Sequence, residues 1–407
     1  TYMSYAHIMK LNISVAVSST PEATIEGFPV YEALERTCQH VLDTQYPIYS
    51  DFFGRMDVSY RDGIKYSSED QRRFAQIHGG LNIRGAKLYD PITGEGNSDV
   101  QLALSFKNLF KSLKALYNIG YAIETLDGET SQRIRIEEYV YFFEDALGLD
   151  LSDRITKYDI QSQVMPELIP VDLKSGYDNF EYLSVNGLGE PNTVNQRTSI
   201  MNTATKWENI SPIRGDTKGI IDNLANPLGE NGTTDTKGDN AVFIIKTQKP
   251  TVPVNNEDWI PEKDTNIRID SGSLFKDELL NRYFTPTRMM IRHINRIAAG
   301  MTLFPLSKLT FQKTDKWSSL MTSGEGVDYL SESDDILTSS LFAPLYKAMK
   351  HTAIVDFTFA DLEVLKLYPY RYIKFSADIS GYLLSFKKKN NEDKAEITII
   401  ERNIILS

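Results

Sequence analysis

At 407 residues the chain is too long for one simple domain, and roughly two to four domains are expected. A hydrophobic share of 41% with 11% aromatics excludes global disorder. The net charge of −11 argues against affinity of the whole chain for nucleic acid or an anionic membrane, and the single cysteine, Cys38, excludes an intrachain disulfide and a Cys-based zinc site.

In chain order, Lys10-Leu-Asn-Ile-Ser-Val-Ala-Val alternates and reads as a strand with one buried face. A helix is expected over Val30–Leu42, with Pro29 before it and Tyr31, Leu34, Cys38, Val41 and Leu42 inward. Cys38 then reads as a buried small hydrophobe. An aromatic turn region, Tyr46 to Arg55, follows. Residues 56–100 are polar and glycine-rich, a long excursion expected to pack against the next helix.

That helix is the clearest in the chain. Phe106, Leu109, Phe110, Leu113, Leu116 and Tyr117 recur at spacings of three and four, with Lys107, Lys111 and Lys114 on the opposite side. Ser105 is the expected N-cap and Gly120 the expected stop. The period then falls to two. Tyr121-Ala-Ile-Glu, the turn Asp127-Gly128 and Arg133-Ile-Arg-Ile-Glu predict a hairpin whose second strand continues into Tyr139–Phe143.

Beyond Gly148 short strands dominate, with Ile155–Val164 followed by breaks at Pro166 and Pro170. Residues 185–240 read as loop, with turn signals at Asn186-Gly187 and Asn231-Gly232. Ala241-Val-Phe-Ile-Ile-Lys reads as a central buried strand, and 247–273 as a linker or extended surface segment. A second helix is expected from Pro286 to Ala299, with Thr285 as N-cap, Gly300 as stop and Met289, Met290, Ile294 and Ile297 inward. The final part reads as a β-meander: Ala353–Ala360, Tyr370–Ser376, Gly381–Lys387 and Ala395–Glu401, with a tight Asn390-Asn391 connection. The expected class is α+β, β-dominated and multi-domain, with boundaries giving 1–150, 151–255 and 256–407.

Signatures of chemistry are sparse. No GxGxxG, GxSxG, HExxH or EF-hand loop occurs, and Gly232-Thr-Thr-Asp-Thr-Lys-Gly lacks the ending of a phosphate loop. No two of His7, His40, His78, His293 and His351 stand at metal-ligand spacing, so no metal or cofactor is expected. The acidic pairs Glu137-Glu138 and Asp334-Asp335 read as solvated charge. Arg282 flanks the second helix, and Arg288, Arg292 and Arg296 fall at every fourth position along it. They read either as a docking stripe for an acidic neighbour or passing nucleic acid, or as a solvated face.

Several blocks taken in order resemble a family of tail proteins from phages and prophages of the Bacteroidetes. They are Phe28-Pro-Val-Tyr-Glu-Ala-Leu-Glu-Arg, Tyr49-Ser-Asp-Phe-Phe-Gly-Arg, Leu81-Asn-Ile-Arg-Gly, the helix from Ser105 on to Glu124 with Ile134-Arg-Ile-Glu, and Thr285-Pro-Thr-Arg-Met-Met-Ile-Arg-His. The likeness runs from about residue 28 to the end and is weak at about 60–78 and 185–275. The helix followed by a hairpin also looks like a unit of tail-hub and spike-hub proteins in contractile injection systems, a fold-level analogy. The resemblance implies a hub- or barrel-like virion structural protein of a tail or baseplate ring, and no catalytic residue is carried over. Its partners would be itself, as a threefold or sixfold cyclic homo-oligomer, and other tail or baseplate proteins, with no membrane and no specific nucleic-acid binding. The rival expectations are a receptor- or glycan-binding tail-tip protein and a tail-associated hydrolase. No run reaches the roughly 20 apolar residues of a membrane span, and residues 1–30 lack a signal-peptide layout. Synthesis in the host bacterial cytoplasm, then incorporation into the virion, is expected.

Overall fold

A computed structural model of the chain describes residues 23–42, 47–53, 75–86, 102, 104–125, 132–155, 159–170, 172–178, 193–198, 205–228, 236–246, 266–269, 282–299, 308–311, 336–337, 344–388 and 393–403. The alternating segment at Lys10, the turn at Asp127-Gly128, the pair Asp334-Asp335 and the Asn390-Asn391 connection lie outside them.

Strand β1 (Ala23–Glu26) and β2 (Phe28–Pro29) lead into α1 (Val30–Leu42). Tyr31, Leu34 and Cys38 face inward as expected, but Val41 and Leu42 are exposed. Burial pushes the Cys38 thiol up to about 12, which suits a packed hydrophobe rather than a nucleophile. After β3 (Ile48–Tyr49), part of the glycine-rich excursion forms β4 (Ala75–Gly79) and α2 (Gly80–Ile83). Ala75 and Ile77 share a core cluster with Leu109 and Leu113.

Helix α3 (Phe106–Tyr117) starts where expected, the Ser105 hydroxyl accepting from the Asn108 N–H. It ends earlier than expected. Asn118 takes the left-handed conformation, φ 57°, and closes the helix. Gly120 instead lies within β5 (Ile119–Thr125), where a Cβ would stand 2.8 Å from the Phe142 ring. Strand β6 (Gln132–Glu138) pairs antiparallel with β5, completing the hairpin. Tyr139–Phe142 is a 3-10 turn rather than continued strand. Then come β7 (Glu144–Asp150) and β8 (Gln161–Val164), the latter shorter than the expected Ile155–Val164 strand.

The stretch expected to be loop holds β10 (Thr193–Thr198), β11 (Lys206–Ser211), α4 (Thr217–Ala225) and α5 (Thr236–Asp239), preceded by β9 (Asp172–Tyr177). Helix α4 nucleates on Asp216, whose carboxylate accepts the Gly219 N–H and both ends of the Arg214 guanidinium. Strand β12 (Val242–Lys246) is buried but stands at one side of its sheet rather than at its centre. Its other side is closed by a single bridge, with Arg214 N–H donating to Val242 O and Ile244 N–H to Arg214 O. The expected linker contains β13 (Asn266–Ile269), paired with β1.

The second helix is broken. Helix α6 (Pro286–Arg292) and α7 (Ile294–Ile297) meet at His293, φ −92° and ψ 3°. Thr285 has the extended backbone of an N-cap but makes no side-chain capping bond. Met289, Met290, Ile294 and Ile297 are buried as expected. Beyond them lie β14 (Lys308–Phe311), β15 (Ile336–Leu337), β16 (Tyr346–Asp356), α8 (Phe359–Leu367), β17 (Arg371–Lys374), β18 (Ser380–Lys388) and β19 (Lys394–Arg402). Only β17, β18 and β19 form the meander, and β16 returns beside β19. Helix α8, which was not expected, begins with a reciprocal cap. Thr358 Oγ1 accepts from the Asp361 N–H and the Asp361 carboxylate from the Thr358 N–H.

Five open sheets result among the described residues, and none closes into a barrel. Their orders are β1-β13, β12-β4-β2, β3-β6-β5, β11-β9-β10-β14-β15 and β7-β17-β18-β19-β16-β8. The protein is therefore mixed α/β and rich in strands, as the β-dominated expectation has it. Strands on both sides of residues 150 and 255 share sheets, so pairing crosses both expected boundaries. One apolar core joins α1, α3, β4, β6, β12 and α6 through residues such as Leu34, Leu113, Ile136, Ile244 and Met289. A second lies between the C-terminal sheet and α8, with Val355, Ile373, Phe375, Ile397 and Ile399 at its centre.

Candidate functional site

The helix–hairpin unit is held at the carboxyl end of α3, where the last carbonyls lack intrahelical partners. Asn209 Nδ2 donates to Ala115 O at 2.8 Å, and Arg292 Nη1 donates to Leu116 O at 2.8 Å. His293 Nε2 lies 3.1 Å from the same Ala115 O. A carbonyl only accepts, so Nε2 carries the proton and His293 is the Nε2–H tautomer. The ring is fully enclosed, and burial, with Arg296 and Arg292 nearby, pushes its pKa down to about 3. Asn118 Nδ2 donates onward to Arg292 O at 2.8 Å, tying the α3 cap to the break between α6 and α7.

The arginines expected along the second helix take internal partners. Arg292 and Arg296 both reach the carboxyl end of α3, Arg296 Nη1 lying 3.5 Å from Asn118 Oδ1. Arg292 stacks 3.5 Å over the Tyr283 ring and also donates to Tyr283 O, while Arg296 stacks 4.1 Å over Tyr139. Arg288 is partly buried. Arg292 and Arg296 thus brace the unit from within.

The hairpin sheet, β3-β6-β5, has two unlike faces. One packs Ile48, Ile119 and Ile136 toward α3. The other carries Arg135 between the rings of Tyr49 and Tyr141, 4.3 and 4.9 Å from their centroids. Arg135 pairs with Asp51 at 2.6 Å and Glu137 at 2.7 Å. Glu137 also accepts the N–H groups of Asp51 and Phe52 at 2.7 and 3.0 Å. Glu137 is therefore a buried brace and not the solvated charge that the Glu137-Glu138 pair suggested. Burial pushes its carboxyl up to about 7, against the pull of Arg135 and the two main-chain donors.

Between these faces β5 runs along the side of its sheet with no further strand beside it among the described residues. Tyr121 and Ile123 on it are 62% and 65% exposed. Tyr121 meets Phe110 edge-on at 5.3 Å, and Phe110 stacks on Phe106 at 5.8 Å. An open strand edge beside an apolar, aromatic row offers main-chain pairing and apolar burial together, as strand addition requires. The alternation at Tyr121-Ala-Ile-Glu was legible in the sequence, but its outward exposure was not.

Among the described residues no three His, Cys, Asp or Glu side chains converge as metal ligands, and no helix is long and apolar enough to cross a membrane. Comparison with protein-family models, with curated proteins and with solved structures finds no match to this chain.

Proposed function

We propose that the chain is a virion structural protein of a phage tail, a tail-hub or baseplate ring subunit acting by assembly. The observation that carries the assembly part is the open β5 edge with exposed Tyr121 and Ile123, mounted on a unit braced by Arg135, Arg292 and His293. A braced unit whose edge strand has no further strand beside it among the described residues is suited to accept a strand from a neighbouring subunit at little ordering cost. Phe359 and Leu367, two turns apart on α8 and 73% and 67% exposed, add a second apolar surface for neighbours. The order of the resembling blocks supports the tail assignment. A ring subunit of this kind makes heterologous contacts that close at threefold or sixfold symmetry, and its place is the virion.

The test is the native mass of the purified chain across a concentration series. A discrete threefold or sixfold multiple of 46.2 kDa is expected. A monomer at every concentration, alone and with tail extract, overturns assembly as the function.

A further inference from the structure

A chain of hydrogen bonds in the C-terminal sheet has the form of a nucleophile, a base and an orienting carboxylate. Ser162 on β8 faces His351 on β16 in register, with Oγ 2.8 Å from Nδ1. His351 Nε2 lies 3.0 Å from Glu401 Oε2 on β19, and Lys347 Nζ holds the other Glu401 oxygen at 2.5 Å. Burial raises the Glu401 carboxyl, but hydrogen bonds from His351 and Lys347 outweigh it and leave the group below its usual range. An ionised carboxylate only accepts, so His351 Nε2 must carry the ring proton. Nδ1 is then a lone pair, and the Ser162 hydroxyl donates to it. His351 is buried while Ser162 is exposed, so the base is enclosed and the nucleophile is accessible.

The main chain of β8 leaves N–H donors on its outer side. Met165 N–H donates to Ala348 O. Main-chain direction alternates along an antiparallel strand, so Gln163 and Gln161 turn toward β16, and the N–H groups of Ser162 and Val164 turn to the open side of β8. Strand β8 is the outermost strand of its sheet among the described residues, so an extended acyl chain could lie along it. We propose that Ser162, His351 and Glu401 form a serine esterase site that accepts a carboxylic ester, independently of the assembly function.

The reaction balances without a further reagent. Ser162 Oγ bonds to the acyl carbon while its proton passes to His351 Nδ1, and the carbonyl π pair moves onto oxygen. Collapse reforms the carbonyl and breaks the ester C–O bond, and the alcohol leaves with the proton from Nδ1. Water then attacks acyl-Ser162, giving a proton to Nδ1 that returns to Oγ as the acid departs. Glu401 holds the ring and faces the imidazolium, and is a positioning residue.

The test is labelling of the full chain with a fluorophosphonate, read by intact mass and peptide mapping. One adduct per chain on Ser162 is expected. It should be absent in Ser162→Ala, an exposed position that leaves the fold intact, and slowed by about 10²-fold or more in His351→Gln. Glu401→Gln should slow labelling, and Glu401→Asp should restore part of the rate. Absence of an adduct at Ser162 in the folded wild type overturns the proposal, because the three groups are then only a satisfied cross-strand hydrogen-bond chain. An equal rate in folded His351→Gln overturns it as well.

Discussion

His293 gives the sharpest quantitative expectation. Its ring is enclosed, donates to Ala115 O and sits among cations, so the folded protein holds it neutral down to about pH 3. The unfolded chain protonates the same ring near the ordinary value of about 6.5. Below that value the unfolded state binds a proton that the folded state refuses, so the His293 contribution is complete above about pH 6.5 and is lost as pH falls. Between pH 7 and pH 5 the two titrations differ by about 2 kcal/mol, at about 1.36 kcal/mol per unit. Urea unfolding at both pH values, in the wild type and in His293→Gln, isolates this contribution. Glutamine can still donate to Ala115 O but does not titrate, so whatever the variant loses in absolute stability, its decline from pH 7 to pH 5 should be about 2 kcal/mol smaller. Equal declines in the two proteins would refute the enclosed, neutral imidazole.

Other perturbations test other parts of the structure. Leu113→Ala removes a fully buried side chain from the main core and should lower unfolding free energy by about 2–5 kcal/mol in urea titration. Asp361→Ala removes the return half of the α8 capping box together with the 2.6 Å contact to Arg154, and a loss of about 1–2 kcal/mol by thermal melting is expected. Gly381→Ala would place a Cβ 2.0 Å from Ile400 O, so hydrogen exchange should speed selectively in the β18 and β19 amides. Ile123→Lys, at an exposed position on β5, should leave the melting temperature within a few degrees yet reduce the assembled fraction in native mass measurements.

What could be read in the sequence was local. The spacing from Phe106 to Tyr117 and the hydroxyl at Ser105 determine α3 because periodicity and capping act within one element. The stop was misplaced because Asn118 and Gly120 both tolerate αL, and what decides is tertiary: Asn118 bonds to Arg292 and Asn295. Helix α8 escaped notice because apolar residues fall on nearly all its sides, which erases the period, although Thr358 and Asp361 stand at capping-box spacing. The internal partners of Arg292 and Arg296 could not be read from their spacing, because the contacts that place them, like the His293 bond to Ala115 across 178 residues, are tertiary. Ser162, His351 and Glu401 carry no local motif. Adjacent strands bring them together, and only their register could have revealed them.

The order of the C-terminal sheet has a consequence for synthesis. Its outer strands, β7 and β8, are translated well before the strands they border, and Ser162 precedes His351 by 189 residues. At about 5–20 residues per second a ribosome takes roughly 10–40 s to cover that distance. Throughout that interval both segments wait without a ladder, open to proteases, chaperones and wrong pairing. Closing so long a loop also slows the final step relative to local contacts. A nascent chain stopped before β16 should thus keep residues 144–164 sensitive to proteolysis, and resistance should arrive all at once when β19 emerges and the sheet zips shut.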